Sequence, residues 1–530
     1  MKTFHRTLII GCSALALAGC GADEIVSPGT GGNVIINNPA PSPTPTPTPT
    51  PTSTLVTPAA GCPTISNPTG LTDAGTITGP TGEWRVCRLP QNFSASTTLA
   101  RIPGLLYQID GQVDVGTDGG PAPDGSDGAT DSNVRLTIEP GVILFASGSS
   151  FLNINRGNEI SANGTAARPI IFTSRDNVLG LNNANSSSQW GGVIVNGRAP
   201  VTDCEAAGAV PGSVNCERLT EGATTPPRYG GATPNDSSGS MTFVQLRYSG
   251  FILSNGDELQ ALTTGGTGSG TVFENIMSYN SSDDGVEFFG GLVNVKRLIV
   301  VGSEDDSIDV DTGVKADLQE VIVVQRGVAS DAIIESDSSN TLEENTPRQN
   351  TRISNATFIG NSSVGDQLIR IRGRADFTLV NSILFDQGGG DPCLRVDGID
   401  TLDRAANPAL DEAGPVVFNS VALDCVNDFR DGSGVTAAGV QARFNVGSNN
   451  NAAFTNTLTG LGGANFINGA NENGVPVFDP TALSSFFTAL TYIGAVPNLA
   501  GNWAESWTCN SPTITLGTAN TGDCSSLPVY

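Results

Sequence analysis

Six carboxylates crowd two short stretches of the chain, and the second stretch repeats the first after 22 residues, from 283 to 305. The six residues are Asp283, Asp284, Glu287, Asp305, Asp306 and Asp309. Carboxylates in adjacent repeats repel each other unless a cation or arginines lie among them. Calcium takes about six to eight oxygen ligands, and this set can supply them. The sequence therefore predicts a candidate calcium site.

Two other interpretations of the same acids stay open. An aspartate in a turn can cap backbone amides, which would make the cluster a stack of solvated turns. Two carboxylates can also act as acid and base on a glycoside. The only nearby bases that could neutralise the cluster are Lys296 and Arg297. A second group of acids consists of Asp114, Asp118, Asp124, Asp127 and Asp131. It predicts either a loop that calcium orders or a flexible loop.

Histidine chemistry is excluded in the exported part of the chain. The only histidine is His5, in a predicted export signal, so a Ser-His-Asp triad and histidine-ligated metals are ruled out. After that signal only Lys296 and Lys315 remain as lysines, and no glycine-rich phosphate loop with a lysine occurs. The net charge of −26 opposes binding to nucleic acid.

The elements that must position the acids are repeated strand-turn units. Each unit has a short apolar stretch of period two, followed by a turn that is usually rich in Asp, Ser and Gly, and consecutive units start 22, 23 or 24 residues apart where no loop intervenes. The seven units are Phe243–Gly250, Phe273–Gly285, Val295–Ser307, Leu318–Asp331, Ile353–Asp366, Phe377–Asp391 and Val416–Asp428. Such a period is typical of a solenoid. The sequence predicts an all-β fold, a right-handed parallel β-helix, whose long faces suit extended polymers.

A second strand follows each turn, and its alternation assigns the two faces. We expect eight apolar residues to point inward: Val286, Phe288, Ile308, Val310, Ile369, Ile371, Leu394 and Val396. We expect seven charged residues to point outward: Glu287, Asp309, Asp311, Arg370, Arg372, Arg395 and Asp397. The outer face is therefore predicted to run from an acidic end to a basic end. Arg370 and Arg372 would form salt bridges there with acids such as Asp366 or Asp397.

The N-terminus predicts export and anchoring. Residues 1–19 have a basic start, a short apolar run and small residues before Cys20, which is typical of a secretory signal. Leu17-Ala18-Gly19-Cys20 resembles the lipobox of bacterial lipoproteins, in which the cysteine is lipidated. Residues 20–61, rich in Pro and Thr, are predicted to be a disordered tether, and residues 62–530 the β-helix domain with loop insertions and a disulfide-containing C-terminal segment.

Eight cysteines remain after Cys12 and Cys20 are set aside, and they allow 105 connectivities. Because solenoid contacts are local in sequence, nearest neighbours are the favoured pairs, although free thiols stay an alternative. The favoured pairs are Cys62–Cys87, Cys204–Cys216, Cys393–Cys425 and Cys509–Cys524.

Short motifs along residues 100 to 510 carry a resemblance. They include LTIEPG from Leu136, WGGVIVNG from Trp190, DGVEFFGG from Asp284 and YIGA from Tyr492. In these motifs the chain resembles a family of right-handed parallel β-helix surface proteins and lipoproteins of Gram-negative bacteria, in the pectate-lyase-like superfamily. The resemblance implies the fold. The location is predicted from Gly21, which follows Cys20 where an aspartate often retains lipoproteins at the inner membrane; this favours the outer membrane, at the cell surface or the periplasmic face.

The anchor, the tether, the disulfides and the long outer face favour a non-catalytic monomer that binds a glycan, an envelope polymer or an outer-membrane protein. One alternative is a calcium-assisted polysaccharide lyase. In related lyases an arginine or lysine takes a proton from a uronate beside calcium, a role for which Arg370 and Arg372 are the candidates. The other alternative is an accessory subunit of a transporter or adhesin. Polygalacturonase-type hydrolysis, which uses a histidine, is disfavoured.

Overall fold

The computed structural model describes residues 55–530, except 222, 224, 252–257, 328, 339–342, 364, 389 and 519. The predicted signal, Cys20 and most of the predicted tether lie outside the described residues. The compact unit begins at Leu55, before the predicted boundary at Cys62. Val56 already forms a bridge with Gly82, and the N–H of Ala59 donates to the carbonyl of Gly104 (3.0 Å).

Strands dominate the described chain. The first fourteen are β1 (Thr72–Gly79), β2 (Gly82–Arg88), β3 (Asn92–Phe93), β4 (Thr97–Leu99), β5 (Leu105–Gln108), β6 (Gln112–Val115), β7 (Arg135–Ile138), β8 (Ile143–Ala146), β9 (Phe151–Ile154), β10 (Glu159–Asn163), β11 (Ile170–Ser174), β12 (Gly192–Asn196), β13 (Arg218–Leu219) and β14 (Arg228–Tyr229). The others are β15 (Gly239–Arg247), β16 (Leu262–Gly265), β17 (Val272–Tyr279), β18 (Val286–Phe289), β19 (Leu292–Val301), β20 (Ile308–Asp311), β21 (Lys315–Val324), β22 (Ile334–Ser336), β23 (Asn350–Gly360), β24 (Ile369–Ile371), β25 (Asp376–Asp386), β26 (Leu394–Val396), β27 (Val417–Asp424) and β28 (Phe429–Arg430).

Helices are few and short. The α-helices are α1 (Arg175–Leu179), α2 (Ile399–Leu402) and α3 (Ala437–Phe444). The 3-10 turns are Pro408–Leu410, Glu472–Gly474, Pro480–Ala482 and Leu499–Gly501. Within the described residues, no helix is long and apolar enough to cross a membrane.

Two long sheets form the walls of a parallel β-helix. Sheet A has 15 strands, and its main path runs β1-β2-β5-β8-β11-β15-β17-β19-β21-β23-β25-β27. Sheet B has 11 strands in the order β28-β26-β24-β22-β20-β18-β16-β12-β9-β6-β3. The seven predicted units supply seven successive neighbours of sheet A, from β15 to β27. This confirms the predicted solenoid.

The predicted interior column is confirmed in register. Val286 lies opposite Ile308, Ile308 opposite Ile334, and Ile334 opposite Ile369 on adjacent strands of sheet B. All four side chains are buried in one apolar core that runs along the solenoid. Because each unit covers the apolar face of the next, the core forms only when the units stack.

Seven strands of sheet A bend at one shared position, which the sequence analysis did not predict. The ladder is interrupted there, and each strand has a residue with φ between 50° and 61°. These residues are Phe243, Asn275, Arg297, Glu320, Asn355, Asn381 and Ser420. Left-handed backbone breaks an extended strand, so each of the seven turns that contain these strands gains a corner at this column.

The C-terminal segment, residues 454–530, folds back over the outer face of sheet A. A second apolar core joins sheet A residues such as Met277 and Ile299 to Ile493 and Trp507 of this segment. Hydrogen bonds add to the contact, because Asn355 Nδ2 donates to the carbonyl of Tyr492 (2.6 Å). We call this segment the C-terminal cover.

Four disulfides tie the fold together. They join Cys62–Cys87, Cys204–Cys216, Cys393–Cys425 and Cys509–Cys524, the nearest-neighbour set. The pairs span 12 to 32 residues, so each closes a local loop, as expected of a solenoid.

Candidate functional site

One column of side chains on the outer face of sheet B carries the predicted charge gradient. Residues in register along successive strands are Thr263, Glu287, Asp309, Glu335, Arg370, Arg395 and Arg430. The column therefore changes from acidic to basic between β22 and β24. This confirms the prediction of an acidic and a basic end.

The acidic end of this column forms the floor of a pocket of about 260 Å³. Ten residues line the pocket, and all except Gln260 are acidic. They are Glu221, Glu258, Gln260, Asp283, Asp284, Glu287, Asp305, Asp306, Asp309 and Glu335. All six acids singled out in the sequence lie here. Sequence reasoning missed Glu221 and Glu258, because neither belongs to a repeated strand-turn unit whose register the sequence shows.

The turns before β18 and β20 fix two of the acids. Asp284 Oδ1 accepts a hydrogen bond from the backbone N–H of Asp306 (2.9 Å), and Asp306 Oδ1 accepts one from the N–H of Ala332 (2.7 Å). Each carboxylate thus caps an amide of the following turn. The structural-turn interpretation therefore explains one oxygen of Asp284 and one oxygen of Asp306. It does not explain why the other carboxylate oxygens of the pocket lie close together.

Glu287 combines an outward direction, as predicted, with burial. Its side chain points outward from sheet B, yet it is buried. The neighbouring Gln260, also buried, donates from Nε2 to Asp283 Oδ2 (3.2 Å), so a loop residue covers part of this face. Burial without solvent is the condition under which a carboxylate needs a proton or a cation.

Carboxylate oxygens converge in three overlapping groups. One oxygen from each of Asp284, Glu287 and Asp309 lies within 4.8 Å of the others. The same holds for Asp305, Asp306 and Asp331, and for the set of Asp283, Asp284 and Asp305. The first two groups have no residue in common. Oxygen groups of this size fit hard cations such as calcium, which prefer carboxylate ligands.

Burial dominates the electrostatics of the pocket. It raises the pKa of Asp283 to about 7, with further increases from the charges of Glu258 and Asp305. Burial, and then the charge of Asp309, raises the pKa of Glu287 well above its ordinary value. The pKa of Asp309 is also raised, by burial first and by the charge of Asp311 next. The pocket therefore favours protons or bound cations over free carboxylates.

No described residue forms a salt bridge with any of the six predicted acids. Lys296 and Arg297, which sequence analysis offered as neutralising bases, point elsewhere. Lys296 Nζ lies over the ring of Phe486, 5.2 Å from its centroid, and Arg297 pairs with Glu320 (3.1 Å). Both residues lie on β19 of sheet A, where the left-handed backbone at Arg297 interrupts the alternation, and neither pairs with an acid of the pocket, so that suggestion was wrong.

The two candidate catalytic arginines are held in salt bridges. Arg370 pairs with Glu335 (3.1 Å) and Asp397 (2.9 Å), and Arg372 pairs with Glu335 (2.6 Å) and Asp337 (2.7 Å). Burial lowers the pKa of Arg370, but its bonds to acids outweigh burial and the net shift is upward. An arginine that acts as a base must lose a proton, and these partners oppose that loss.

The second acidic loop is ordered by arginines. Arg156 pairs with Asp118 (2.6 Å), and Arg198 pairs with Asp131. Asp127 accepts hydrogen bonds from the N–H groups of Ala122 and Ala129 (both 2.9 Å). Three of the five acids therefore have partners that order this loop, and the choice between a calcium-ordered loop and a flexible loop stays a prediction.

Comparison with known families agrees with this architecture. A family model described as a pectate-lyase-like beta helix domain matches residues 127–465. Searches of curated proteins and of solved structures returned no match. The matched span contains the acidic pocket, the outward column and most of both sheets. On this match, which covers more than half of its length, the chain belongs to the pectate-lyase-like β-helix family.

Proposed function

We propose that this chain is an exported, lipid-anchored β-helix protein that binds an acidic glycan through calcium held in the acidic pocket. The observation that carries the proposal is the pocket itself, where nine carboxylate residues line one cavity. None of the six predicted acids has a salt-bridge partner among the described residues. Calcium would neutralise the carboxylates and keep coordination positions open for ligand oxygens.

The shape of the outer face supports a chain-like ligand. Sheet B continues from the acidic pocket toward Arg370, Arg395 and Arg430, in register on neighbouring strands. Strands in a sheet lie about 4.8 Å apart, so the column offers a regularly spaced polar track. An extended acidic sugar chain would meet calcium at one end of this track and guanidinium groups at the other.

Binding is favoured over cleavage by the state of the arginines. Arg370 and Arg372 are each paired with two acids, which stabilises their charged form. A lyase needs a deprotonated base that takes a proton from the substrate, and these salt bridges favour the protonated form of both side chains. The lyase alternative therefore has the weaker support.

Location is supported by the sequence at the N-terminus and by the cysteines. Leu17-Ala18-Gly19-Cys20 has the pattern of a lipidation signal, and a Pro/Thr-rich stretch follows it. The four disulfides suit an oxidising compartment outside the cytoplasm. Together these features support a protein held at the outer membrane and displayed toward a polymer.

Calorimetry with oligogalacturonate and oligoalginate, in calcium and then in EDTA, tests the proposal. We expect binding only with calcium, and its loss in Asp306→Asn/Asp309→Asn. Asp124→Asn is the matched control, because Asp124 is an exposed loop acid outside the pocket. The proposal fails if neither oligomer binds in calcium, or if the double variant binds as tightly as the wild type. A rise in the absorbance of unsaturated uronates would show cleavage of the oligomer, and it would support the lyase alternative over a binding protein.

A further inference from the structure

A second cleft, of about 490 Å³, opens on another part of the solenoid. It lies against β4, β7 and β10, with its rim supplied by the loops that carry Asp131 and Asp236. No lining residue is shared with the acidic pocket. The lining residues are Ser96, Thr97, Thr98, Asp131, Asn133, Val134, Arg135, Thr137, Gly157, Asn158, Glu159, Arg198, Asp236 and Ser237.

The floor of this cleft begins a row of hydroxyl groups. Thr98 lies opposite Thr137, Thr137 opposite Ser161, and Ser161 opposite Ser240 on neighbouring parallel strands. Adjacent strands are about 4.8 Å apart, so the hydroxyls repeat at that spacing. No described residue forms a hydrogen bond with the hydroxyl of Thr98 or Thr137. Both hydroxyls are available to a ligand.

Charge in the cleft is compensated, in contrast to the acidic pocket. Arg135 pairs with Glu159, and Arg198 pairs with Asp131. The remaining acid, Asp236, accepts a hydrogen bond from the backbone N–H of Arg198 (2.8 Å), and burial raises its pKa. The cleft therefore offers donors and acceptors without a net demand for a counter-ion.

The walls of the cleft are fixed before any ligand arrives. The buried Asn158 accepts hydrogen bonds at Oδ1 from the Ser132 hydroxyl (2.7 Å) and from the Val134 N–H (2.9 Å). The buried Arg198 donates to the carbonyl oxygens of Gly119 (2.9 Å) and Gly120 (2.7 Å). A site whose polar groups are already ordered loses little conformational freedom on binding.

From the hydroxyl row, the compensated charges and the fixed walls, we infer that this cleft binds a neutral oligosaccharide without a metal ion. Sugar hydroxyls both donate and accept hydrogen bonds, which matches a lining of Ser, Thr, Asn and paired charges. The inference extends the proposed function, since it rests on glycan binding by this protein and adds a second ligand class at a separate site.

The test is calorimetry in EDTA with cellohexaose, xylohexaose and maltohexaose. We expect at least one of them to bind, and Thr98→Val/Thr137→Val to weaken that binding about tenfold, because two hydrogen bonds are lost while side-chain volume is kept. Thr78→Val is the matched control on an exposed residue of β1. Arg135→Gln, at another exposed side chain of the cleft, should also weaken binding, so the test does not depend on one variant folding.

The outcomes separate this inference from the proposed function. Asp306→Asn/Asp309→Asn should bind the neutral sugar as the wild type does. If the wild type binds a neutral sugar but binds neither acidic oligomer in calcium, the acidic-pocket proposal is overturned and the cleft stands. Failure of all three neutral sugars, or equal affinity of the wild type and the threonine double variant, would overturn the cleft.

Discussion

Glu287 and Asp309 lie directly opposite each other on β18 and β20, and their carboxyl groups share a hydrogen bond. Two carboxyl groups can share a hydrogen bond only when one of them holds a proton. A bound cation is the alternative way to keep both groups together. The pair therefore holds either a proton or a metal ion, and the pH and the cation concentration determine which of the two is bound.

Calcium should stabilise the folded chain. If calcium binds the pocket and not the unfolded chain, the stabilisation reaches about 2.7 kcal/mol at a hundredfold excess over the dissociation constant. Thermal melts with calcium and with EDTA measure this shift. Asp306→Asn/Asp309→Asn should abolish the response and Asp124→Asn should keep it. Superimposable wild-type curves would show that the acids act only as structural turns.

Without calcium, stability should fall as the pH rises from about 4 to about 7. Asp283, with its pKa raised by burial from 3.8 to about 7, binds a proton in the folded state over this range and has lost it in the unfolded chain. One such group changes the free energy of unfolding by up to about 1.4 kcal/mol per pH unit. Urea unfolding in EDTA at a series of pH values measures the slope.

The Asp283→Asn variant isolates this contribution to the pH dependence. We expect a shallower slope for this variant than for the wild type between pH 4 and pH 7, because one raised pKa is removed. Asp124→Asn serves as the control and should leave that fall unchanged. Equal slopes for the wild type and Asp283→Asn would contradict the raised pKa of Asp283.

Ile308→Asp should destabilise the whole solenoid. Ile308 is fully buried in the interior column, and the change both removes apolar burial and introduces an unpaired carboxyl group. The expected loss exceeds about 3 kcal/mol. Val272→Asp is the control, since Val272 is 47% exposed and should cost less than about 0.5 kcal/mol. Similar losses for both variants would argue against a stacked interior column.

Trp507→Ala should loosen the C-terminal cover. The indole is buried, and it packs edge-on against Phe243 with ring centroids 6.0 Å apart. Truncation of a buried tryptophan costs about 3–5 kcal/mol. Leu499→Ala, at an exposed residue of the same segment, is the control. Denaturant unfolding and protease sensitivity measure the effect, and unchanged stability would mean that the cover contributes little to the fold.

Cys20→Ser should release the protein from the membrane fraction or leave it unprocessed. The expected cause is loss of the lipid-bearing side chain in the Leu17–Cys20 motif. Cys12→Ser, in the same signal, should keep normal partitioning. Cell fractionation with immunoblotting checks both variants. Normal cleavage and unchanged membrane partitioning of Cys20→Ser would contradict lipidation.

Much of the solenoid followed from sequence because its rules are local. Side chains along a strand alternate between its two faces, so Ile308 was correctly predicted to point inward and its neighbour Asp309 to point outward. The corner at Asn275 was missed, although a polar residue interrupts the apolar alternation at the same place in several units. A search for that shared interruption would have found it.

Contacts between distant parts of the chain were beyond such rules. Glu258 lines the acidic pocket, although it belongs to none of the repeated units. Gln245, in β15, lies beside Trp507, 262 residues further along the chain. No period in the sequence links those two positions. The six acids in the repeated units were therefore predictable, while Glu221, Glu258 and the covering of sheet A were not.

The C-terminal cover also sets an order of events during synthesis. A chain emerges N-terminus first, so the turns of the solenoid can stack before residues 454–530 exist. Until then the outer row that contains Tyr248, Ile299 and Ile383 stays in water. A protein that ended before the cover would expose this apolar row to water. Chaperones and proteases recognise such exposed apolar surface. The C-terminal cover is therefore needed to bury the apolar outer row of sheet A.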